Sequence, residues 1–257
     1  MRFASLGSGS EGNGLVVESG GTRLLLDCGY SVKESEFRLA RLGLAPDDLS
    51  AILVTHEHDD HVGGVFSFAR RHALPVYLSH GTFEAHRETH AQEAIGVRVH
   101  LIGADTSFAI EDLQVNPFTV PHDAREPLHF VFADGATRLG VITDTGCSTT
   151  HIEKTLSGLD ALVLETNHDI DMLWASSYPW SLKERIAGRL GHLDNAASGR
   201  LLATLDRSKL KHVIAAHLSK KNNSPALASA ALESALGCEA GWVGIASQDQ
   251  GFAWREI

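Results

Sequence analysis

A four-layer αββα sandwich of the α/β class is the fold this sequence predicts, on three observations. Short apolar runs of strand length fall into two blocks, with a change of character near residue 98. Helical patterns accompany both blocks, so each sheet can pack one face on the other and cover its second face with helices. Polar residues follow directly on several apolar runs, at the strand ends where open α/β sheets place their chemistry. With 257 residues, 43% of them hydrophobic, the chain can bury a large core, and a single domain over residues 1–257 is expected.

The elements follow in order. Runs at 2–6, 15–18 and 22–27 read as strands, the last two joined by Gly20-Gly21, a hairpin signal. Residues 33–44 are amphipathic, with Phe37, Ala40 and Leu44 on one face and Pro46 beyond the end, which predicts the first outer helix. Ala51-Ile52-Leu53-Val54 is a buried strand. A helix is expected over 65–72, a strand over 75–78 and a helix over 81–93. Short strands then dominate, at 98–102, 106–110, 113–119, 128–133 and 138–142, broken by turn residues such as Asp134-Gly135. Strands at 159–164 and 212–216 alternate with helices at 194–205 and 225–236.

Composition excludes several classes. The start lacks the apolar run of a signal peptide and no segment reaches the roughly 18 apolar residues of a membrane span, so a cytoplasmic protein without a membrane partner is expected. Cys28, Cys147 and Cys238 are too few and too scattered for a disulfide framework, in keeping with a reducing compartment. A formal charge of −10 argues against a basic coat, so any nucleic-acid contact must be local. The stretch Gly7-Ser8-Gly9-Ser10-Glu11-Gly12 spells GxGxxG, but strands follow it where a dinucleotide site needs a helix, so no nucleotide cofactor is expected. A loop of small residues there suits the lining of a cleft.

The chemistry is concentrated in Thr55-His56-Glu57-His58-Asp59-Asp60-His61. An HxHxDH pattern after a buried strand offers His56, His58, Asp60 and His61 as ligands, one more than a catalytic zinc with an open position needs, which suggests two metals sharing one loop. His122, Asp144 and His217 each stand just past an apolar run and complete a set of seven, in which an Asp144 bridge would hold two ions roughly 3.5–4 Å apart. Hydrolysis of a phosphodiester also requires a proton for the leaving oxygen. His192 is placed for this because Gly191 permits a tight turn before a helix that Asp194 or Asn195 would cap. Glu165, ending a neighbouring strand, would fix its tautomer. The plainer reading of His192 is a helix-entry residue bonded to backbone.

Taken together these motifs resemble the metallo-β-lactamase superfamily over nearly the whole chain. By that resemblance His56, His58 and His122 would hold one divalent ion and Asp60, His61 and His217 the other, with Asp144 between them and Asp60 also catalytic. Asp27 would orient a ligand histidine rather than touch metal. Asp at position 144 departs from the antibiotic-hydrolysing branch, which has Cys there, and His58 departs from the diiron oxygen reductases, which have Glu. Glu165, Gly191-His192 and His217-Leu218-Ser219 resemble the nucleases of the superfamily, where a Glu–His pair protonates the leaving alkoxide. The Gly7–Asn13 loop and the segment from His217 to Asn223 most resemble the bacterial YycJ/WalJ subfamily, regarded as metal-dependent 5′-to-3′ exonucleases on DNA. The resemblance therefore implies two divalent ions, zinc or manganese, and a nucleic-acid substrate, DNA ahead of RNA. An RNA-processing nuclease of the RNase Z type, a thioester or lactone hydrolase on the same fold, and a non-catalytic scaffold are the alternatives; a scaffold would have lost ligands, and none is missing.

Substrate grip is expected from Ser219, Lys220, Lys221 and Asn222, which follow a ligand directly, with Asn223 as a further donor and Lys183, Arg185 and Arg189 leading to His192. His168 would touch phosphate, touch a ligand, or only close a loop. Tyr178 and Trp180 flank Pro179 and either pack or stack a base. His80, His86, His90, His100, His129, His151 and His212 lack partners at ligand spacing and read as structural or exposed.

Overall fold

A computed structural model of the protein describes residues 1–90 and 92–257. Two seven-stranded sheets face each other. The first contains β1 (Arg2–Gly7), β2 (Gly14–Ser19), β3 (Thr22–Leu26), β4 (Ala51–Leu53), β5 (Val76–Ser79), β6 (Val99–Ile102) and, at its edge beside β1, β14 (Phe252–Glu256). The second runs β13-β12-β11-β10-β9-β8-β7, from β7 (Phe108–Ile110) and β8 (Leu113–Thr119) through β9 (Leu128–Ala133), β10 (Arg138–Ile142), β11 (Ala161–Glu165) and β12 (His212–Ala216) to β13 (Gly244–Ile245).

Period-two alternation creates the layers. Leu24, Leu26, Ala51 and Leu53 point inward and meet Phe130, Val141, Val163 and Ile214 of the other sheet. Leu25, Ile52 and Val76 point outward onto α1 (Val32–Arg41) and α3 (Val65–His72) through Leu39, Phe66 and Phe68. On the second sheet Ile142, Leu162, Leu164 and Val213 point outward onto α8 (Asn195–Thr204) and α9 (Pro225–Leu236) through Leu201, Leu202, Ala228 and Leu232. The αββα order follows from these three apolar clusters.

Strands β3 to β6 are parallel, as are β10 to β13. Each parallel pair returns over an outer face, so the strands end on one side of the sandwich, and the loops leaving β3, β4, β8, β10, β11 and β12 gather there.

Several details depart from the sequence reading. Helix α1 ends at Arg41, and its buried residues are Ser35 and Leu39, whereas Phe37 is 60% exposed beneath the Arg41 guanidinium. Leu44 reaches the core from the turn after the helix, once Gly43 has reversed the chain at φ 75°. The helix expected over 81–93 is α4 (His80–His90), and residue 91 lies outside the described residues. Strand β13 and the short helices α5 (Thr150–Thr155), α6 (Ile170–Ala175) and α7 (Trp180–Ile186) had no sequence counterpart, being too short to show a period, and β14, an edge strand with one buried residue, had none either. Among the described residues no helix is long and apolar enough to cross a membrane.

Candidate metal centre

Leaving β4, the chain passes Thr55, His56 and His58 and makes a single helical turn, α2 (Asp59–Val62), with His58 at its N-cap. Three backbone bonds pin this turn: Asn13 N to Asp60 O at 2.7 Å, Cys28 N to His61 O at 2.9 Å and Gly64 N to Cys28 O at 2.8 Å. The approach requires glycine at two points, because a Cβ on Gly29 would overlap the Asp60 carbonyl and one on Gly64 the Tyr30 carbonyl.

Two groups of ligand atoms result. His58 Nδ1 lies 3.0 Å from His56 Nε2 and 3.3 Å from His122 Nε2. Tetrahedral zinc with Zn–N of about 2.0–2.1 Å sets neighbouring nitrogens about 3.3 Å apart, so these imidazoles fit around one ion. In the second group Asp60 Oδ2 is 3.4 Å from His61 Nε2 and 3.3 Å from His217 Nε2. Asp144 stands between the groups, with Oδ2 3.2 Å from His61 Nε2 and Oδ1 4.0 Å from His122 Nε2. Its buried Oδ2 has no hydrogen-bond partner. An orphaned carboxylate oxygen among imidazole nitrogens whose lone pairs face one another is a donor set suited to divalent cations.

Partners behind the ligands set their tautomers. Asp27 accepts from His61 Nδ1 at 2.8 Å and from Thr55 N and Oγ1 at 2.8 and 2.9 Å. With its proton given to Asp27, Thr55 Oγ1 can accept from His56 Nδ1, 2.9 Å away. His122 Nδ1 donates to Gly191 O at 3.1 Å. Each bond leaves the Nε2 lone pair free for metal. Asp27 and His217 hold left-handed backbone at φ 60° and 54°, strain of the kind functional sites retain.

Burial holds His56 and His122 below the ordinary histidine range, assisted at His56 by His61 and at His122 by His192, so both rings are neutral. His61 and His217 shift the other way. Burial opposes their charge, but the carboxylates of Asp144 and Asp60 outweigh it, and His217 is pushed up to about 10. Burial likewise opposes the charge on Asp60 and Asp144, yet His61 and His217 hold both carboxyls well below their usual range. A cation entering this cluster would displace those protons.

His192 lies beside the second cluster, its Nδ1 2.7 Å from Glu165 Oε1 and 3.5 Å from Asp144 Oδ1. Glu165 is fully buried, and its Oε2 accepts from Thr145 N at 3.0 Å and Leu193 N at 3.1 Å. Burial lowers the His192 pKa, but the Glu165 charge and hydrogen bond outweigh it and the net shift is upward. Asp194 caps α8 two residues on, accepting from Ala197 N at 2.7 Å. The centre opens into a cleft of about 650 Å³ whose lining includes Ser10, Glu57, His90, Arg185, His192 and His217.

The residues expected to grip substrate are placed unevenly. Lys221 is exposed, its ammonium 5.2 Å from the Tyr178 ring centroid. Lys220 is exposed but held by Glu11 at 2.7 Å and Asp249 at 3.6 Å. Ser219 Oγ accepts from Asn222 N at 3.2 Å. Asn222 and His168 are each 1% exposed, so as placed neither meets a phosphate; the Asn222 carbonyl accepts from Asp169 N, and His168 Nδ1 faces Asn167 Oδ1 at 3.2 Å. Asn223 is buried too, bonded to Thr166 O and Asn195. Lys183 is also buried, donating to Trp174 O at 2.7 Å. The His168, Asn222 and Asn223 side chains are drawn inward because the loops after β11 and β12 satisfy their backbones against each other.

Sequence reasoning passed over four contributors. Asn13 Nδ2 reaches Asp60 Oδ2 at 3.2 Å, Thr55 links Asp27 to two ligand rings, and Asp123 Oδ1 lies 3.5 Å from His122 Nε2 while its other oxygen pairs with Arg185. His129, read as structural or exposed, is buried with Nε2 3.2 Å from the Asp144 carbonyl, and burial lowers it to about 4. Asp123 and Thr55 were open to inference as polar neighbours of ligands in sequence. Asn13 and His129 reach the centre only through the fold.

The family model described as the beta-lactamase superfamily domain matches residues 22–218. The chain is 36% identical over 247 residues to the exodeoxyribonuclease YycJ of Bacillus anthracis, covering 92% of this chain and 89% of that protein. To the exodeoxyribonuclease WalJ of Streptococcus pneumoniae it is 32% identical over 229 residues, covering 89% and 85%. The crystal structure of Zn²⁺-bound PqqB from Methylobacterium extorquens superposes with a TM-score of 0.74 at 17% identity over 100% of both chains, a likeness of fold alone.

Proposed function

This chain belongs to the metallo-β-lactamase superfamily and is a metal-dependent hydrolase, and we propose that it is a two-metal phosphodiesterase degrading DNA from the 5′ end. The observation that carries the reading is the Glu165–His192 pair standing 3.5 Å from Asp144, between two ligand groups that suit one divalent ion each. A thioester expels a thiolate, which needs little help from such an acid. A DNA alkoxide needs it.

Zinc or manganese held by these groups would supply a nucleophile at neutral pH and offset charge on the phosphoryl oxygens. The side chains perform the rest. His192 Nδ1 is committed to Glu165, so Nε2 is the atom that would give its proton to the leaving oxygen. The backbone N–H groups of Thr145 and Leu193 keep the carboxylate from rotating away. Asp27 and Thr55 hold the ligand rings while substrate comes and goes. Arg185, docked on Asp123 at the cleft wall, and Lys221, exposed four residues after His217, would be the cations that meet flanking phosphates.

Salt dependence tests the polynucleotide reading. DNA affinity should fall steeply with salt, and Lys221→Ala should flatten the log–log slope by about 0.9 for the one duplex phosphate contact it removes. Lys220→Ala should change it less, since Glu11 and Asp249 already occupy that ammonium. Affinity indifferent to salt, or equal slopes in both variants, would contradict the assignment of Lys221.

A further inference from the structure

Two tryptophans stand exposed on the helices α6 and α7, the second of which leads to the cleft-lining Arg185. Trp174 is 38% and Trp180 66% exposed, with ring centroids 5.1 Å apart and planes at 37°. A pair of large apolar rings left at the surface points to a ligand. The pair is also built. The Lys183 ammonium, in a residue only 8% exposed, donates to the Trp174 carbonyl and ties the end of α6 to α7. That bond fixes the two helices, and with them the indoles, relative to each other. Pro179 starts α7 with a set φ, and Tyr178 before it lies under the Lys221 ammonium.

Position relates the pair to the site. Helix α6 follows Glu165 through Asn167-His168-Asp169, and α7 runs from Trp180 to the turn bearing Arg185, which lines the cleft. Lys221, its ammonium 5.2 Å from the Tyr178 ring, brings positive charge to this flank of a chain whose net charge is −10, and Arg185 adds a guanidinium paired with Asp123. Exposed indoles flanked by cations match a strand whose phosphates and bases must both be held, and stacking on them tolerates any sequence.

We propose that Trp174 and Trp180 form a stacking platform for unpaired nucleobases next to the scissile phosphate, so that the strand is engaged single-stranded or frayed at its end. The platform rests on the nuclease reading above. Its test uses the metal-loaded protein and single-stranded oligonucleotides in which one abasic residue, keeping its phosphate, is moved position by position. At one or two positions near the cut, loss of the base should lower kcat/KM about tenfold or more. Trp180→Ala should shrink that ratio towards one, and Trp180→Phe should keep most of it. Thermal midpoint and metal content check that each variant is folded. Equal cleavage of intact and abasic strands, or an undiminished ratio in Trp180→Ala, would overturn the platform while leaving the nuclease intact. Sedimentation showing that Trp180→Ala dissociates an oligomer would overturn it in favour of a second copy covering the rings. Failure to cut any strand would overturn the underlying function and the platform with it.

Discussion

Asp144→Ala should strip metal from both halves of the centre and abolish hydrolysis of any phosphodiester. Its carboxylate has one oxygen against His61 and the other towards His122 and His192, so its loss removes a ligand from each group at once. Removing an outer partner of a ligand costs about 10–100-fold in metal affinity, the range expected for Asp27→Asn. Asp144→Ala should exceed that range. Competition with a graded chelator followed by elemental analysis measures it. Two retained equivalents, bound as tightly as in the native protein, would show that Asp144 bridges nothing.

His192→Ala should behave differently, keeping its metals while turnover of DNA falls roughly 10²–10⁴-fold. The side chain is 22% exposed at the cleft, and its contact to Asp144 at 3.5 Å is longer than the 2.7 Å bond to Glu165 that orients it. Bis(p-nitrophenyl) phosphate should suffer far less, because its leaving group departs without a proton. Equal losses on the two substrates would assign His192 a structural role. Loss of metal would make it a ligand, a possibility worth measuring because its ring also belongs to a convergent group with Asp144, Glu165 and His217.

Much of the centre was legible because it is written locally. His56, His58, Asp60 and His61 fall within one loop, and His122, Asp144, Glu165 and His217 each stand at or just after the end of a strand that alternation reveals. The sandwich was legible for the same reason, since Leu24, Leu25 and Leu26 sort between two apolar clusters by parity alone. What stayed hidden depends on approach through space. Nothing at Asn13 announces that its amide meets Asp60 across 47 positions, and nothing at Lys183 announces a side chain turned inward to a tryptophan carbonyl. Phe37 was assigned to the wrong face of α1 because an aromatic counted as core, whereas the packed stripe runs through the small Ser35 and through Leu39. Asn222 and His168 looked like substrate contacts because they neighbour functional residues in sequence, yet closely packed loops turned both inward.

DNA is the substrate proposed for this cleft. The most direct measurement incubates the protein, loaded with zinc or manganese, with linear duplex and single-stranded DNA labelled at either end, with RNA of the same sequence, and with thioester and lactone substrates. Mononucleotides released stepwise from the 5′ end of DNA, abolished by chelator and restored by metal, are the expected result. DNA left intact while a thioester or lactone is turned over would contradict the account.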